Sequence, residues 1–221
     1  MSGSEKWKWE FVKDDESNIW KNPSVESYYL LHRWKEQNKK EFLDLGCGLG
    51  RHSILFGKYG FNVHCFDINE EAIVKTKEWA ESESLDFEYN IGDMRKLPYK
   101  DESMDYILSR NVISHTDTQG VKQTIAEIHR VLKVGAECYL TLASKDAQGF
   151  KRKDWPSLDE NTKITMEEGA EYKIPHFYAD YNLIEELFRD FEIISITHVE
   201  EFREKNGKIN SVFQYHVHVK K

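Results

Sequence analysis

The residues best placed to do chemistry form a glycine-rich segment flanked by two aspartates. In FLDLGCGLGRHS, Gly46, Gly48 and Gly50 alternate directly after a short apolar stretch, and Asp44 precedes them. Asp67 ends the next strand-like stretch, FNVHCFD. Glycine is costly to order, so three of them here indicate that bare backbone must turn sharply or approach a ligand. The segment is therefore a candidate ligand-binding loop.

Arg51 excludes two phosphate-binding loops. The P-loop and the dinucleotide fingerprint both require a glycine at the sixth position counted from Gly46, where this chain has Arg51. The carboxylate of Asp44 would repel a pyrophosphate but attract an ammonium group, and an acid placed like Asp67 typically accepts hydrogen bonds from ribose hydroxyls. The ligand should carry a ribose and a charged amine but no pyrophosphate, conditions that S-adenosylmethionine meets.

Strands and helices alternate on both sides of this loop. A helix over 23–37 is predicted, with Val25, Tyr28, Leu31 and Trp34 on an aromatic face. From 41 to 144, strand-like and helix-like stretches alternate, which predicts an α/β fold with a parallel sheet. Two β-like stretches joined by Asn206-Gly207 predict a terminal antiparallel hairpin. Ligands of such sheets bind at the carboxyl ends of the strands, where the glycine loop lies.

Composition and charge narrow the class of protein. The 221 residues are 39% hydrophobic and 32% charged, with no apolar run long enough to span a membrane and no apolar signal segment at the N-terminus. The three cysteines form neither a disulfide framework nor a paired zinc spacing. A net charge of −8 argues against a nucleic-acid partner. We expect a cytoplasmic protein without membrane partner or metal site; the oligomeric state stays open.

Four stretches, in the same order along the chain, resemble motifs of the class I S-adenosylmethionine-dependent methyltransferases. They are EFLDLGCGLG with its downstream acid, IGDM after the third strand, DYILSRNVISH around the fourth strand, and LKVGAECYLTL across the fifth. The resemblance covers 41–221 and implies a three-layer Rossmann-like sheet of seven strands, mostly parallel with an antiparallel C-terminal hairpin strand. Residues 1–40 would be an N-terminal extension and helix covering the site, and 145–178 an insertion acting as a substrate lid.

The resemblance also implies how the first motif would bind the cofactor. Gly46, Gly48 and Gly50 would let the backbone approach the methionine part of S-adenosylmethionine. Cys47 would contribute backbone there, and Asp44 would hold the amino group.

The later motifs are matched to the nucleoside and the sulfonium centre. Asp67 would bind the ribose hydroxyls, and Ile68 would pack on the adenine. Asp93 would accept from the adenine amino group, and Met94 would donate its backbone amide. Taken singly, Asp67 could instead cap a helix and Asp93 could form a turn. The residues expected at the sulfonium end are Ser109, Arg110 and Asn111, although Arg110 departs from the small or apolar residue often found there.

The catalytic residues are not fixed by these motifs. The sulfonium cofactor supplies the reactivity, so a general base is needed only for an acceptor that is protonated at neutral pH. The candidates are His115, His176 and Tyr178, and the substrate-binding candidates are these three together with Tyr28 and Trp34. We expect methyl transfer to a small-molecule acceptor, releasing S-adenosylhomocysteine. The alternatives are an RNA or protein acceptor, or a non-methylating relative that binds S-adenosylmethionine.

Overall fold

The architecture follows from strand pairing between Glu41 and the C-terminus, in a computed structural model that describes Trp7, 19–205 and 208–221. The helices are α1 (Val25–Lys35), α2 (Arg51–Lys58), α3 (Glu70–Ser82), α4 (Thr118–Val131), α5 (Gln148–Lys151) and α6 (Tyr181–Leu187), preceded by a 3-10 turn, Ile19–Lys21. The strands are β1 (Glu41–Leu45), β2 (Asn62–Asp67), β3 (Glu88–Ile91), β4 (Met104–Ser109), β5 (Leu132–Ser144), β6 (Thr162–Ile164), β7 (Pro175–Ala179), β8 (Glu192–Lys205) and β9 (Lys208–Lys220).

Seven strands form the predicted sheet, in the order β3-β2-β1-β4-β5-β9-β8. The first five are parallel to one another, and β9 runs antiparallel to both β5 and β8. The prediction of a mostly parallel sheet with an antiparallel terminal hairpin is confirmed. The tip of that hairpin, Asn206-Gly207, lies outside the described residues, but Lys205 pairs with Lys208 beside it.

Alternate strand residues enter two separate cores, which gives the three layers. Leu43 and Ile107 lie in the core that α4 and α6 cover. Phe42 and Tyr106, their neighbours in the chain, lie in the core that α1, α2 and α3 cover. Such alternation is the expected behaviour of strands buried on both faces.

The segment 145–178 contains a two-stranded ribbon that the sequence did not predict. β6 pairs antiparallel with β7, and β7 pairs parallel with the end of β5. Ala143 pairs with Tyr178 on one side and with Gln214 on the other. On the side of β5 that faces away from β9, β4 pairs with β5 as far as Leu140 and β7 pairs with it from Ala143 onward. β7 therefore lies in line with β4, beyond the end of β4. The ribbon therefore extends the sheet at its ligand-binding edge.

The aromatic face predicted for α1 is divided in the structure. Leu31 and Trp34 are buried, whereas Val25 and Tyr28 are 84% and 53% exposed. Steps of three residues drift around a helix of 3.6 residues per turn, so the two ends of the series face different directions. Only the second half of the predicted face reaches the core.

A buried carboxylate fastens α1 to the sheet. Glu137 on β5 accepts hydrogen bonds from Arg33 Nε at 2.8 Å and Nη2 at 2.9 Å. Trp34 Nε1 donates to it at 2.8 Å, Gln37 Nε2 at 3.1 Å, and His218 Nε2 lies 2.9 Å away. Burial alone would raise the pKa of Glu137, but the bonds from His218 and Arg33 outweigh it and hold the pKa well below its usual range. Glu137 therefore stays ionised and ties α1 to β5 and β9.

Within the described residues, no helix combines the length and the apolar character needed to cross a bilayer.

Candidate active site

A cavity opens at the carboxyl ends of β1, β2 and β4. The loop after β1 contributes Gly46, Cys47 and Gly48 to its lining, and the end of β2 contributes Asp67 and Ile68. The segments after β3 and β4 supply much of the remaining wall, namely Gly92, Met94, Arg110, Asn111, Val112 and His115. This is the edge at which ligands bind in open α/β sheets. The fold thus brings together residues from several of the predicted motifs.

The glycines of the first loop have backbone conformations that other residues rarely adopt, and two of them lie where a side chain would collide with its surroundings. Gly46, Gly48 and Gly50 have φ values of +77°, +55° and +86°. A Cβ on Gly46 would collide with the side chain of Val112, and one on Gly50 would collide with that of Thr76. The loop therefore needs glycine both for its turn and for its close packing.

Asp67 both shapes the loop and faces the cavity. Its Oδ2 accepts from the Gly48 N–H at 2.9 Å, and its Oδ1 accepts from the Asn69 N–H at 2.8 Å. Burial raises the pKa of Asp67, while the two backbone donors work against that rise. Each carboxylate oxygen has further acceptor capacity, so Asp67 can still accept bonds from a ligand in the cavity.

Asp44 lies beneath the loop and not in the cavity lining. It is 2% exposed, and its Oδ2 accepts from the Ser53 N–H at 2.9 Å and from Ser53 Oγ at 2.6 Å. Burial raises the pKa of Asp44 to about 6, against the opposing effect of the Ser53 hydrogen bonds. Its contacts in this structure are with the first turn of α2, so it positions the loop from below.

The side of the cavity next to β2 and β3 is mainly apolar. Phe66, Ile68 and Met94 line it together with Gly92. Asp93 is absent from this lining, and its two oxygens accept from Arg95 Nε at 3.0 Å and Nη2 at 2.7 Å. Asp93 therefore lies between two lining residues in the chain, while its carboxylate is paired with Arg95.

The segment after β4 supplies polar groups on the opposite side. Arg110 and Asn111 line the cavity, whereas Ser109 is fully buried and donates to the Leu45 carbonyl at 2.9 Å. The Arg110 Nη1 lies 3.3 Å from Gln214 Oε1, and its Nε lies 3.8 Å from Glu26 Oε2. Arg110 thus joins this wall to α1 and β9.

Several lining residues were not predicted, chiefly Trp7, Trp20 and His52. Trp7 packs edge-to-face on Trp20 at 5.4 Å and stacks on His115 at 5.8 Å. His52 is 4% exposed, lies 3.3 Å from the Ser24 N–H, and has its pKa lowered well below the usual value by burial. The one sequence signal for the tryptophans was their presence in an otherwise polar N-terminal stretch.

Of the candidate catalytic and substrate-binding residues, His115 alone lies in the cavity lining. His176 lies behind it, with the two ring centroids 4.8 Å apart. Tyr178 packs on Phe150 inside the 145–178 segment. Trp34 stacks on Tyr106 in the core, and Tyr28 is exposed on α1. The structure therefore does not bring Tyr28, Trp34 or Tyr178 to the cavity.

Comparisons with known proteins agree with this geometry. A methyltransferase domain family matches residues 42–135. An S-adenosylmethionine-dependent methyltransferase structure from Methanosarcina mazei, 23% identical, covers 90% of this chain and 98% of its own with a TM-score of 0.74. Malonyl-[acyl-carrier protein] O-methyltransferase from Hamiltonella defensa subsp. Acyrthosiphon pisum is 26% identical over 62% of this chain and 51% of its own length. Norajmaline N-methyltransferase from Rauvolfia serpentina is 31% identical over 44% of this chain and 34% of its own length.

The fold and the domain match define an enzyme that carries a methyltransferase domain. Residues 42–135 are thus similar to a methyltransferase domain, and the chain shares its fold with S-adenosylmethionine-dependent methyltransferases. The chain spans about half or less of the length of the first curated relatives it matches. The substrates for which those relatives are named are therefore not assigned to this chain.

Proposed function

We propose that the protein binds S-adenosylmethionine in the cavity and transfers the methyl group to a small-molecule acceptor, releasing S-adenosylhomocysteine. The observation that carries the proposal is the pairing of a bare glycine loop with Asp67 in one cavity wall. An acid at the end of the second strand suits the hydroxyls of a ribose, and Arg51 stands where the phosphate-binding loops require a glycine.

The residues present fit this cofactor part by part. Gly46 and Gly48 line the cavity with backbone alone, against which the methionine tail can lie. The carboxylate of Asp67 can accept from the ribose hydroxyls, as it is held in place by two backbone donors. The apolar part of the cavity lining, which includes Ile68 and Met94, suits the adenine ring. Arg110 and Asn111 would then lie near the sulfonium end.

For methyl transfer, the protein mainly has to align the acceptor with the methyl group. When bound, S-adenosylmethionine supplies a methyl group on a sulfonium that is a good leaving group. The chain's own residues hold the acceptor in line and exclude water, for which Trp7 and Trp20 provide cover on one side. His115 is the imidazole of the cavity lining that can take a proton from an acceptor.

A small acceptor is favoured by what surrounds the cavity. Trp7, Trp20 and His115 present ring surfaces to it. The net charge of −8 does not suit a polyanionic acceptor. The match to an N-methyltransferase named for the small molecule norajmaline points the same way. In this proposal the N-terminal extension covers the site through Trp7 and Trp20, the rest of 1–18 lying outside the described residues, and 145–178 is the substrate lid of a cytoplasmic enzyme.

A release assay tests the proposal. Purified protein is incubated with S-adenosylmethionine and sets of small phenols, amines, thiols and carboxylic acids, and S-adenosylhomocysteine is measured. We expect release with one class of small acceptor, and about tenfold or more loss of catalytic efficiency in Asp67→Asn, matching the loss of a hydrogen bond to a charged group. Asp86→Asn, at an exposed site, is the matched control. Release with RNA or protein alone would overturn the small-acceptor assignment.

A further inference from the structure

Two histidines and one carboxylate converge behind the cavity wall. His115 Nε2 lies 3.7 Å from Glu171 Oε1, and His176 Nε2 lies 3.4 Å from Glu171 Oε2. The two histidine side chains are 15% and 11% exposed, whereas that of Glu171 is 40% exposed. One ligand atom from each residue can be chosen so that all three lie within 4.8 Å of one another. The cluster is nearly enclosed but open to solvent through Glu171.

Backbone pairing brings the three residues together from distant parts of the chain. The Phe177 N–H donates to the Ser114 carbonyl at 2.8 Å, which sets β7 beside the segment that carries His115. The Ile174 N–H donates to the Glu171 carbonyl at 2.9 Å, which folds Glu171 back toward His176. The sequence predicted no metal site because no ligand spacing is visible when the residues come from two separate segments.

The distances within the cluster suit a shared cation better than direct hydrogen bonds. Nitrogen–oxygen hydrogen bonds have lengths of ~2.7–3.2 Å, shorter than both separations between Glu171 and the imidazoles. Ligands bonded to a tetrahedral zinc ion at ~2.0–2.2 Å stand roughly 3.3–3.6 Å apart. The separations of 3.4 Å and 3.7 Å, each to a different oxygen of Glu171, are close to that edge length, and the three ligand atoms taken together lie within 4.8 Å of one another.

The second nitrogen of His176 has the partners expected around a metal-binding imidazole. Its Nδ1 lies 3.2 Å from the Ile174 carbonyl and 2.7 Å from Thr165 Oγ1. A proton on Nδ1 can be donated to the Ile174 carbonyl, which leaves the lone pair of Nε2 directed to the side of Glu171. Metal-binding histidines are oriented in this way by a carbonyl or carboxylate partner.

We propose that His115, Glu171 and His176 bind one divalent transition-metal ion of the zinc type. Two imidazoles and one carboxylate are a ligand set of catalytic zinc sites, in which a fourth position stays open for water or substrate. His115 also lines the cavity, so the open position lies on the acceptor side.

The role of the ion rests on the proposed function. A hydroxyl or thiol of the acceptor binds at the open position and loses its proton to water, because the bound cation lowers the pKa of that group. The lone pair of that acceptor atom then forms the new bond to the methyl carbon. The bond from that carbon to sulfur breaks with its electron pair on sulfur, giving S-adenosylhomocysteine, the methylated acceptor and one released proton.

Metal titration tests the site independently of methyl transfer. The full chain is stripped with a chelator and titrated with Zn²⁺ against a chromophoric chelator, and then with Co²⁺ while the visible spectrum is recorded. We expect one tight equivalent per chain and cobalt absorption bands in the visible. Both Glu171→Gln and His176→Ala should weaken binding by ~100-fold or more and abolish those bands, because each removes a ligand.

Matched variants control for nonspecific effects. Glu168→Gln changes an exposed acid of the same segment, and His198→Ala changes a histidine outside the cluster that lies 3.7 Å from Asp146. Both should keep the tight equivalent, and circular dichroism checks folding. Absence of a tight equivalent, or its persistence in Glu171→Gln and His176→Ala, would overturn the metal site. S-adenosylhomocysteine binding measured with chelator present reports on the proposed function separately.

Discussion

At the scale of single residues, the structure distinguishes glycines needed for their backbone from glycines needed for their size. Gly46 and Gly60 have similar φ values, +77° and +84°. A Cβ on Gly60 would meet nothing within 4 Å, whereas one on Gly46 would strike Val112. The two sites therefore share the cost of a left-handed backbone and differ in packing against the cavity.

This difference gives a first prediction. Gly60→Ala should lower the free energy of unfolding by ~1–2 kcal/mol, the usual cost of a side chain in the left-handed region. Gly46→Ala should lose ~1–3 kcal/mol more by overpacking, and should weaken S-adenosylhomocysteine binding by ~10-fold or more. Urea unfolding and calorimetry measure the two effects. Equal behaviour of the two variants would contradict the account of the loop.

A second prediction concerns the buried carboxyl of Asp44. The pKa of Asp44 is raised to about 6 in the folded chain, so the group binds protons more tightly there than in the unfolded chain, where ~3.9 is usual. Its stabilising effect is complete below about pH 4 and is lost as the pH rises through about 6. The free energy of unfolding should therefore fall by ~3 kcal/mol from this group between pH 4 and 7.

The difference between wild type and Asp44→Asn isolates this effect. We expect that difference to vary with pH only between about 4 and 7, whereas the difference between wild type and the exposed-site variant Asp86→Asn stays flat. Urea unfolding at a series of pH values measures both. A flat profile for Asp44→Asn would mean that Asp44 titrates as an ordinary surface acid.

At the scale of secondary-structure elements, α1 depends on the carboxylate of Glu137. Arg33, Trp34 and Gln37 all donate to it from α1 and the turn after it, and His218 reaches it from β9. Because this charge is buried and fully partnered, removing it leaves several donors unsatisfied at once. Glu137 therefore anchors α1 to β5 by polar contacts, in addition to the packing of the Trp34 ring in the core.

A third prediction follows for this link. Glu137→Ala should lower the free energy of unfolding by ~3–5 kcal/mol, the usual effect of removing one partner of a buried ion pair. Glu36→Ala removes an exposed α1 glutamate that pairs with His32 at 3.5 Å, and should change stability by at most ~1 kcal/mol. A loss in Glu137→Ala no larger than that in Glu36→Ala would show that the network contributes little.

The elements also show what the sequence could and could not predict. The five parallel strands were predictable from the alternation of strand-like and helix-like stretches, and the terminal hairpin from the Asn206-Gly207 pair. The ribbon of β6 and β7 was not, because strands of three and five residues carry no clear pattern and owe their form to pairing with the end of β5.

The same limit applies to the site. The glycine loop and Asp67 were predictable because each motif is contiguous and lies directly after its strand. Trp7, Trp20 and His52 reach the cavity through tertiary packing that no local pattern encodes. Trp34 was a candidate substrate-binding residue but is buried in the core. The sequence could not decide between these positions, because a large aromatic side chain packs in a core as readily as it lines a pocket.

At the scale of the whole molecule, the segments that follow β1, β2, β3 and β4 lie at one edge of the sheet. The ribbon of β6 and β7 extends that edge. Residues 42–135, which match the methyltransferase domain, supply most of the cavity lining, and in the proposed function they bind the cofactor. The two tryptophans before this range also line the cavity, and in the proposed function they and the ribbon surround the acceptor. This division explains why the methyltransferase domain can be predicted from the sequence while the identity of the acceptor cannot.

The central claim is that the cavity binds S-adenosylmethionine through the glycine loop and Asp67, and calorimetric titration with S-adenosylhomocysteine tests it most directly. We expect one site per chain with a dissociation constant on the order of micromolar, weakened by ~1.5–3 kcal/mol in Asp67→Asn and unchanged in Asp86→Asn. No heat and no thermal shift with wild-type protein, or an unchanged affinity in Asp67→Asn, would contradict it.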